Sequence, residues 1–220
     1  MANSHDHQKD YAGHHDLSSA IGGHAARIDS VSDLPSWYPG SEDKPAPMPL
    51  LRVQGFVNTR DVERGTDLLA EPATVGRWLA DAGLLERPSD PTSADLEVAR
   101  EVRESIRALI DPGGERFAEA LLEPLRALAA NHRARLAVAA DGNLELENAH
   151  GGELGDGLFE LMLIIHGAQE EGNWSRLKLC ANDECQWAFY DRSRNQQGSW
   201  CNMASCGNRL KNRQLRARRR

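Results

Sequence analysis

Four cysteines lie within 27 residues of one another, Cys180, Cys185, Cys201 and Cys206, and the first 179 residues contain none. They form two pairs, each enclosing four residues (ANDE and NMAS), with fifteen residues between the pairs. Paired short spacings build two elbows that can present thiolates toward one point, as a tetrahedral metal requires. Two disulfides are the competing use. The chain opens MANSHDHQKD without an apolar run, so we read no export signal and expect reducing, cytoplasmic surroundings in which thiols persist. Dithiol redox catalysis is disfavoured because no Cys-x-x-Cys pair exists. The expected cofactor is a structural Zn2+ held by all four cysteines. A full set of protein ligands leaves no open coordination position, so the site is not expected to be an enzyme's.

The segments around these cysteines must bring them together. Leu177–Cys180 and Trp187–Tyr190 read as two short strands with the first elbow between them. Asp191 to Ser199 reads as a polar loop, and a helix from about Asn202 carries Cys206. So small a module has little apolar core of its own, so the metal must supply the folding free energy, on the order of 10 kcal/mol. Trp187, Phe189 and Trp200 are expected to cover the ion's apolar side.

The net charge of −7 conceals a division. Nine of the 26 basic residues fall between Arg192 and Arg220, a stretch with no Asp or Glu, which leaves 17 against all 33 acidic residues in the rest. A basic end on an acidic body points to a polyanionic partner. At about 100° per residue from Cys206, the side chains of Arg209, Arg213, Arg216 and Arg220 share a helical stripe roughly 60° wide. Such a stripe suits the phosphates and guanine edges of a DNA major groove. Lys211 flanks it, and Arg192 and Arg194 stand in the loop. Asn208, beside Gly207, either reads a base or hydrogen-bonds backbone or thiolate within the elbow.

Upstream, residues 1–48 hold five of the eight histidines and exit through PGSEDKPAPMP, a composition read as a mostly disordered leader. LLRVQGFVNT reads as a strand with a bulge at Gly55. Four helical segments follow: one entered at Pro72 and stopped at Gly83, one capped near Ser93 with Val98, Val102, Ile106 and Leu109 on one face, one carrying Phe117, Leu121, Leu125 and Leu128 but kinked or split by Pro124, and the apolar LGDGLFELMLIIHGAQ. RLAVAADGNLELEN reads as a hairpin turning at Asp141-Gly142 through a type I′ turn. Trp78 is read as a core residue, and His166, within the most apolar helix, as a hydrogen-bonded structural histidine in preference to a base or ligand. Asn58, Thr59 and Asp61 are assigned turn and cap hydrogen bonds in preference to a pocket. No phosphate loop, nucleophile elbow or His–carboxylate cluster is found, and no run is long and apolar enough to span a bilayer. The fold class is α+β: a helix-dominated N-terminal domain with a β-hairpin over residues 49–172, then a small four-cysteine finger of two short strands and a basic helix over residues 173–220.

The stretch LKLCANDECQWAFYDRSRNQQGSWCNMASCGNRLKNRQLRARRR closely resembles the CGNR-type zinc finger, a bacterial family named for the motif that is here Cys206-Gly207-Asn208-Arg209. The match spans residues 177–220 and includes the FYDRSRN run from Phe189 and Trp200-Cys201. More loosely, Phe56-Val57-Asn58-Thr59 and Thr74-Val75 leading to Trp78-Leu79 resemble the ABATE domain that accompanies this finger in proteins grouped as stress-induced transcription regulators. The resemblance implies a zinc-dependent, DNA-binding regulator of the bacterial cytoplasm and nucleoid. Its N-terminal domain would sense a small-molecule effector or form a homodimer. The competing reading is a protein-interaction or RNA-binding module.

Overall fold

The computed structural model describes residues 34–40, 43–88, 90–111, 113, 118–149 and 152–209. The histidine-rich residues 1–33, Phe117 and the basic residues 210–220 lie outside them. Among the described residues the architecture is α+β, with most helices in the first three quarters and three small antiparallel strand pairs.

The first element corrects the sequence reading. Leu50–Asn58 is not a strand but a helix, α1, and all nine of its residues are buried. Its β-branched and aromatic residues favoured extended chain, but a short apolar run fits either state, and burial on every side selects the helix. Gly55 marks close packing and not a bulge: a Cβ there would stand 2.8 Å from Trp37 Cζ3 and 3.4 Å from Trp78 Cζ2. The segment before α1 is packed too, with Tyr38 and Ala46 buried and Trp37 edge-on to Trp78.

A minimal strand pair follows, β1 (Arg60–Asp61) and β2 (Thr66–Asp67). Helix α2 (Pro72–Asp81) starts on a reciprocal Glu71–Thr74 cap with Pro72 in its first turn. It ends before Gly83, whose φ of +68° favours glycine. Helix α3 (Ser93–Ile110) is capped by Thr92, one residue before the expected Ser93, in a reciprocal exchange with Asp95. Its buried face runs through Leu96, Ala99, Val102 and Ile106, whereas Val98 is 43% exposed, so the stripe is rotated from the one read in sequence. Pro124 splits the next segment as expected: a 3-10 turn (Glu119–Leu122) precedes α4 (Glu123–Asn131), in whose first turn a missing N–H costs nothing.

Strands β3 (Ala134–Val138) and β4 (Leu144–Asn148) form the expected hairpin. Its turn is not type I′. Gly142 N donates to Ala139 O at 2.9 Å, and Gly142 alone of the turn residues has positive φ (+87°), which gives a three-residue loop with a glycine bulge. Leu136, Val138, Leu144 and Leu146 share one face of this hairpin and are 42–71% exposed.

Helix α5 (Leu154–Glu170) is the central element, burying Leu158, Leu161, Ile164 and Ile165 among the other helices. His166 does not join this core: it sits on the exposed face of α5. Strands β5 (Leu177–Leu179) and β6 (Ala188–Tyr190) match the two read beside the first cysteines. They are not a separate appendage. Leu177, Ala188 and Tyr190 belong to the same apolar cluster as Phe56, Leu79 and Ile106. No helix among the described residues is long and apolar enough to cross a membrane.

Candidate metal centre

The chain brings the four cysteines together in two steps. Cys180 leaves β5, and its N–H donates to Trp187 O at 2.9 Å, so the strand pair delivers Cys180 and Cys185 to one end. Between them Asn182 O accepts from both Cys185 N (2.8 Å) and Gln186 N (3.0 Å), closing the first elbow, and Gln186 adopts φ +55° to leave it. The second elbow follows Cys201. Asn202 Oδ1 accepts from Ser205 N at 3.1 Å and caps a single π-helical turn, Met203–Gly207, that carries Cys206. The regular α-helix expected from Asn202 is therefore absent over these residues; one wider turn stands in its place, as such turns often do at functional sites. Ala181 N donates to Ser199 O at 2.9 Å and ties the two elbows together.

All four Sγ atoms are buried and lie within 4.8 Å of one another. Cys185 and Cys201 sulfurs are 3.7 Å apart, and those of Cys201 and Cys206 3.8 Å. A tetrahedral ion with Zn–S bonds of about 2.3 Å sets its ligand sulfurs about 3.8 Å apart, so the arrangement fits Zn2+. It does not fit disulfides, whose sulfurs stand about 2.05 Å apart, and all four cysteines are free. The thiols also act on one another. Hydrogen bonds from Cys185 and Cys201 pull the Cys180 thiol down, while the hydrogen bond to Cys180 pushes Cys185 up. Four thiols this close cannot all ionise against one another, and a divalent cation removes the conflict by deprotonating each ligand.

Phe189 is fully buried against the four sulfurs, with Trp187 and Trp200 packed alongside, the role expected of them. Three further residues had no role assigned in the sequence. Asn182 Nδ2 lies 3.8 Å from Cys206 Sγ, a donor to the thiolate of the kind that steadies metal ligands. Lys44 Nζ donates to Trp200 O at 2.5 Å and stands 4.6 Å from the Phe189 ring centroid. Asp191, 4% exposed, accepts from Ser193 N (3.0 Å), Gly198 N (2.7 Å) and Lys178 Nζ (2.9 Å), fixing the loop between the elbows. The Asp-x-Ser spacing is a sequence signal for this turn. Gly198 is required by closeness, since a Cβ would meet Asp191 Oδ2 at 2.8 Å.

Several polar contacts between body and finger run from a side chain of one to the backbone of the other. Asn58 Oδ1 accepts from Ala188 N at 2.8 Å and its Nδ2 donates to Ala188 O at 2.9 Å, so this side chain pairs with β6 as a strand would. Thr59 Oγ1 bonds Phe56 O at 2.6 Å, and Asp61 accepts from Arg64 N at 2.9 Å, both local structural uses. Arg107 Nη1 donates to Gln186 O at 2.6 Å, inside the first elbow.

Of the residues read as contacting nucleic acid, Arg192 reaches Pro45 O at 2.9 Å. Arg194 is exposed on the loop. Exposed Asn208 donates to Ala204 O at 3.2 Å, a backbone contact within its own turn. Arg209 pairs with Glu63 at 2.6 Å across the groove beside the cysteines. Lys211, Arg213 and Arg216 lie outside the described residues.

A family model described as CGNR zinc finger matches residues 176–219. A second, ABATE, described as "Putative stress-induced transcription regulator", matches residues 52–172, more than half of the chain. No curated protein sequence matches. With the helical body carrying the one match and the four-sulfur centre within the other, the chain belongs to the ABATE family and ends in a CGNR zinc finger.

Proposed function

We propose that the protein is a zinc-dependent, DNA-binding transcription regulator acting in the cytoplasm on the nucleoid. The observation that carries this reading is charge joined to anchorage. The stretch from Arg192 to Arg220 holds nine basic residues and no acidic ones, two of them between the cysteine pairs and seven after Cys206, the last ligand of the four-cysteine centre. Phosphate contacts by such residues release counterions and dominate the affinity for duplex DNA. Arg194, Arg209, Lys211, Arg213 and Arg216 are the contacts we assign, with Arg192 and Asn208 at the margin because each already serves a protein carbonyl. Arg209 would exchange the exposed Glu63 carboxylate for a phosphate, a small loss since such pairs are weak.

One finger with about six phosphate contacts binds weakly in physiological salt, so pairing of two copies would raise the affinity. The exposed Leu136, Val138, Leu144 and Leu146 support such pairing through the hairpin.

The test titrates labelled duplex into zinc-loaded protein at two salt concentrations. The expected result is binding at about 50 mM salt that falls steeply as salt rises and disappears with chelator. Arg213→Ala and Arg216→Ala should each reduce the salt slope by about one. Absence of duplex binding at low salt, with capture of folded RNA or an acidic protein instead, sinks the reading.

A further inference from the structure

Away from the zinc centre, a cavity of about 810 Å³ opens between α3 and the 3-10 turn that leads into α4. Small-molecule sites span roughly 300–1,000 Å³. Its floor is a buried ion pair: Arg103, 2% exposed, holds both Asp67 carboxylate oxygens at 2.7 Å and Thr59 Oγ1 at 3.0 Å. One wall is charged, with Glu101 and Glu104 a single turn apart on α3 and Arg60 reaching in from β1. The opposite wall is apolar apart from Glu123 at its edge, and includes Leu121, 39% exposed, with Pro124 and Ala127.

We infer that this cavity binds a zwitterionic small molecule with an apolar side chain, an amino acid or a close relative. The carboxylate goes to Arg60, the ammonium to Glu101, and the side chain to Leu121, Pro124 and Ala127. The wall chemistry selects this class. A plain anion would face Glu101 and Glu104, and a plain cation would face Arg60 and Arg100. A ligand carrying both charges a few ångströms apart satisfies both signs: Glu101 stands one helical turn, about 5–6 Å, from Glu104, and Arg60 lies 3.1 Å from Glu104. Arg60 can be recruited: its pair with Glu104, at 3.1 Å, is half-exposed and weak. A ligand carboxylate can take two of its N–H groups at once.

The same glutamate leads to the finger. Glu104 lies 3.1 Å from Arg60, 3.5 Å from Arg103 and 3.5 Å from Arg107, and Arg107 holds the Gln186 carbonyl between Cys185 and Trp187. Drawing Arg60 away shifts the Glu104 carboxylate toward the two arginines behind it and alters the grip on the first elbow. The site stands on its own geometry; its consequence for DNA rests on the regulator reading above.

Calorimetry on the full zinc-loaded chain tests the site with three probes: L-phenylalanine, 3-phenylpropionate, which lacks the ammonium, and 2-phenylethylamine, which lacks the carboxylate. Phenylalanine should bind at least tenfold more tightly than either. Arg60→Ala should erase its advantage over phenylethylamine, and Glu101→Gln its advantage over phenylpropionate. Both positions are on the surface, so both variants should fold. Equal affinities, no phenylalanine binding, or binding indifferent to both substitutions overturns the site. In cobalt-substituted protein, phenylalanine should also shift the thiolate-to-metal absorption band. Binding without that shift overturns the link to the elbow. If phenylalanine binds but zinc-loaded protein ignores DNA, the cavity stands and the regulator reading fails instead.

Discussion

In the helical body, Phe56, Leu79, Ile106 and Leu161 are fully buried against one another. In the finger, Phe189 is equally buried, but its neighbours are four sulfurs and the faces of two tryptophans. The first core follows from removal of apolar area from water, which needs no ligand. The second encloses too little apolar surface to offset the ordering of two elbows and the loop between them, so its stability comes from metal–thiolate bonds. The two are nevertheless joined, because Leu177, Ala188 and Tyr190 belong to the body's cluster while the cysteines beside them belong to the finger's. A small metal module thus borrows a wall from a larger domain, and loss of metal should be felt beyond the cysteines.

That contrast can be broken from either side. The largest effect should follow chelation or Cys206→Ser, which removes a binding free energy on the order of 10 kcal/mol. Far-UV circular dichroism should show the finger unfolded and the body melting at a lower temperature. An unchanged body transition would mean that the shared cluster carries no coupling. Next, Phe56→Ala should cost about 3–5 kcal/mol in chemical denaturation, yet leave one zinc per chain in native conditions, since it empties the body's core and touches no sulfur. At the seam, Asn58→Ala removes both of its hydrogen bonds to Ala188; Gln54 Nε2 still donates to Ala188 O at 3.1 Å, so the main loss is the partner of Ala188 N–H, and the change should cost about 2 kcal/mol.

Asp191→Asn is a smaller perturbation, about 1.5 kcal/mol at neutral pH, because charge-assisted hydrogen bonds to the loop are weakened. Burial opposes its ionisation, but hydrogen bonds from Ser193, Lys178 and Gly198 hold the carboxyl well below the usual carboxylate range. A depressed folded-state pKa contributes stability that is present above the unfolded value of about 3.9 and is lost as pH falls through the folded one. The wild-type advantage over the Asn variant should therefore persist from neutral pH to about pH 4 and shrink below it. The smallest effect on stability, within about 0.5 kcal/mol, is expected for Leu136→Lys, because that side chain is 66% exposed. Sedimentation of the same variant should show a loss of self-association if copies meet through the hairpin.

The centre was far more legible in sequence than the fold around it. Metal ligation depends on residue type and short spacing, both of which are written linearly, and so Cys180 to Cys206 could be assigned before any geometry. Pro124 and Gly83 were readable for the same reason, since each acts through its own backbone. Helix α1 was not, because Leu51, Val53, Phe56 and Val57 fit a strand and a helix alike until Trp37, Trp78 and α5 surround them. The exposure of His166 was not readable, because an apolar helix does not announce which of its faces meets water. Asn58 and Arg107 could not be given their partners, for the groups they satisfy, Ala188 and Gln186, lie 130 and 79 residues away.

By itself, then, the amino-acid order determined a four-cysteine zinc finger, an acidic body with a basic end, and a set of helices and a hairpin punctuated by proline and glycine. These properties are local in the chain or additive along it. The tertiary structure decided that body and finger share a wall, that a π turn carries the last cysteine, and that one buried asparagine pairs with the strand beneath the metal. Each of those outcomes depends on which distant backbone groups are left without water, and only the folded arrangement specifies that.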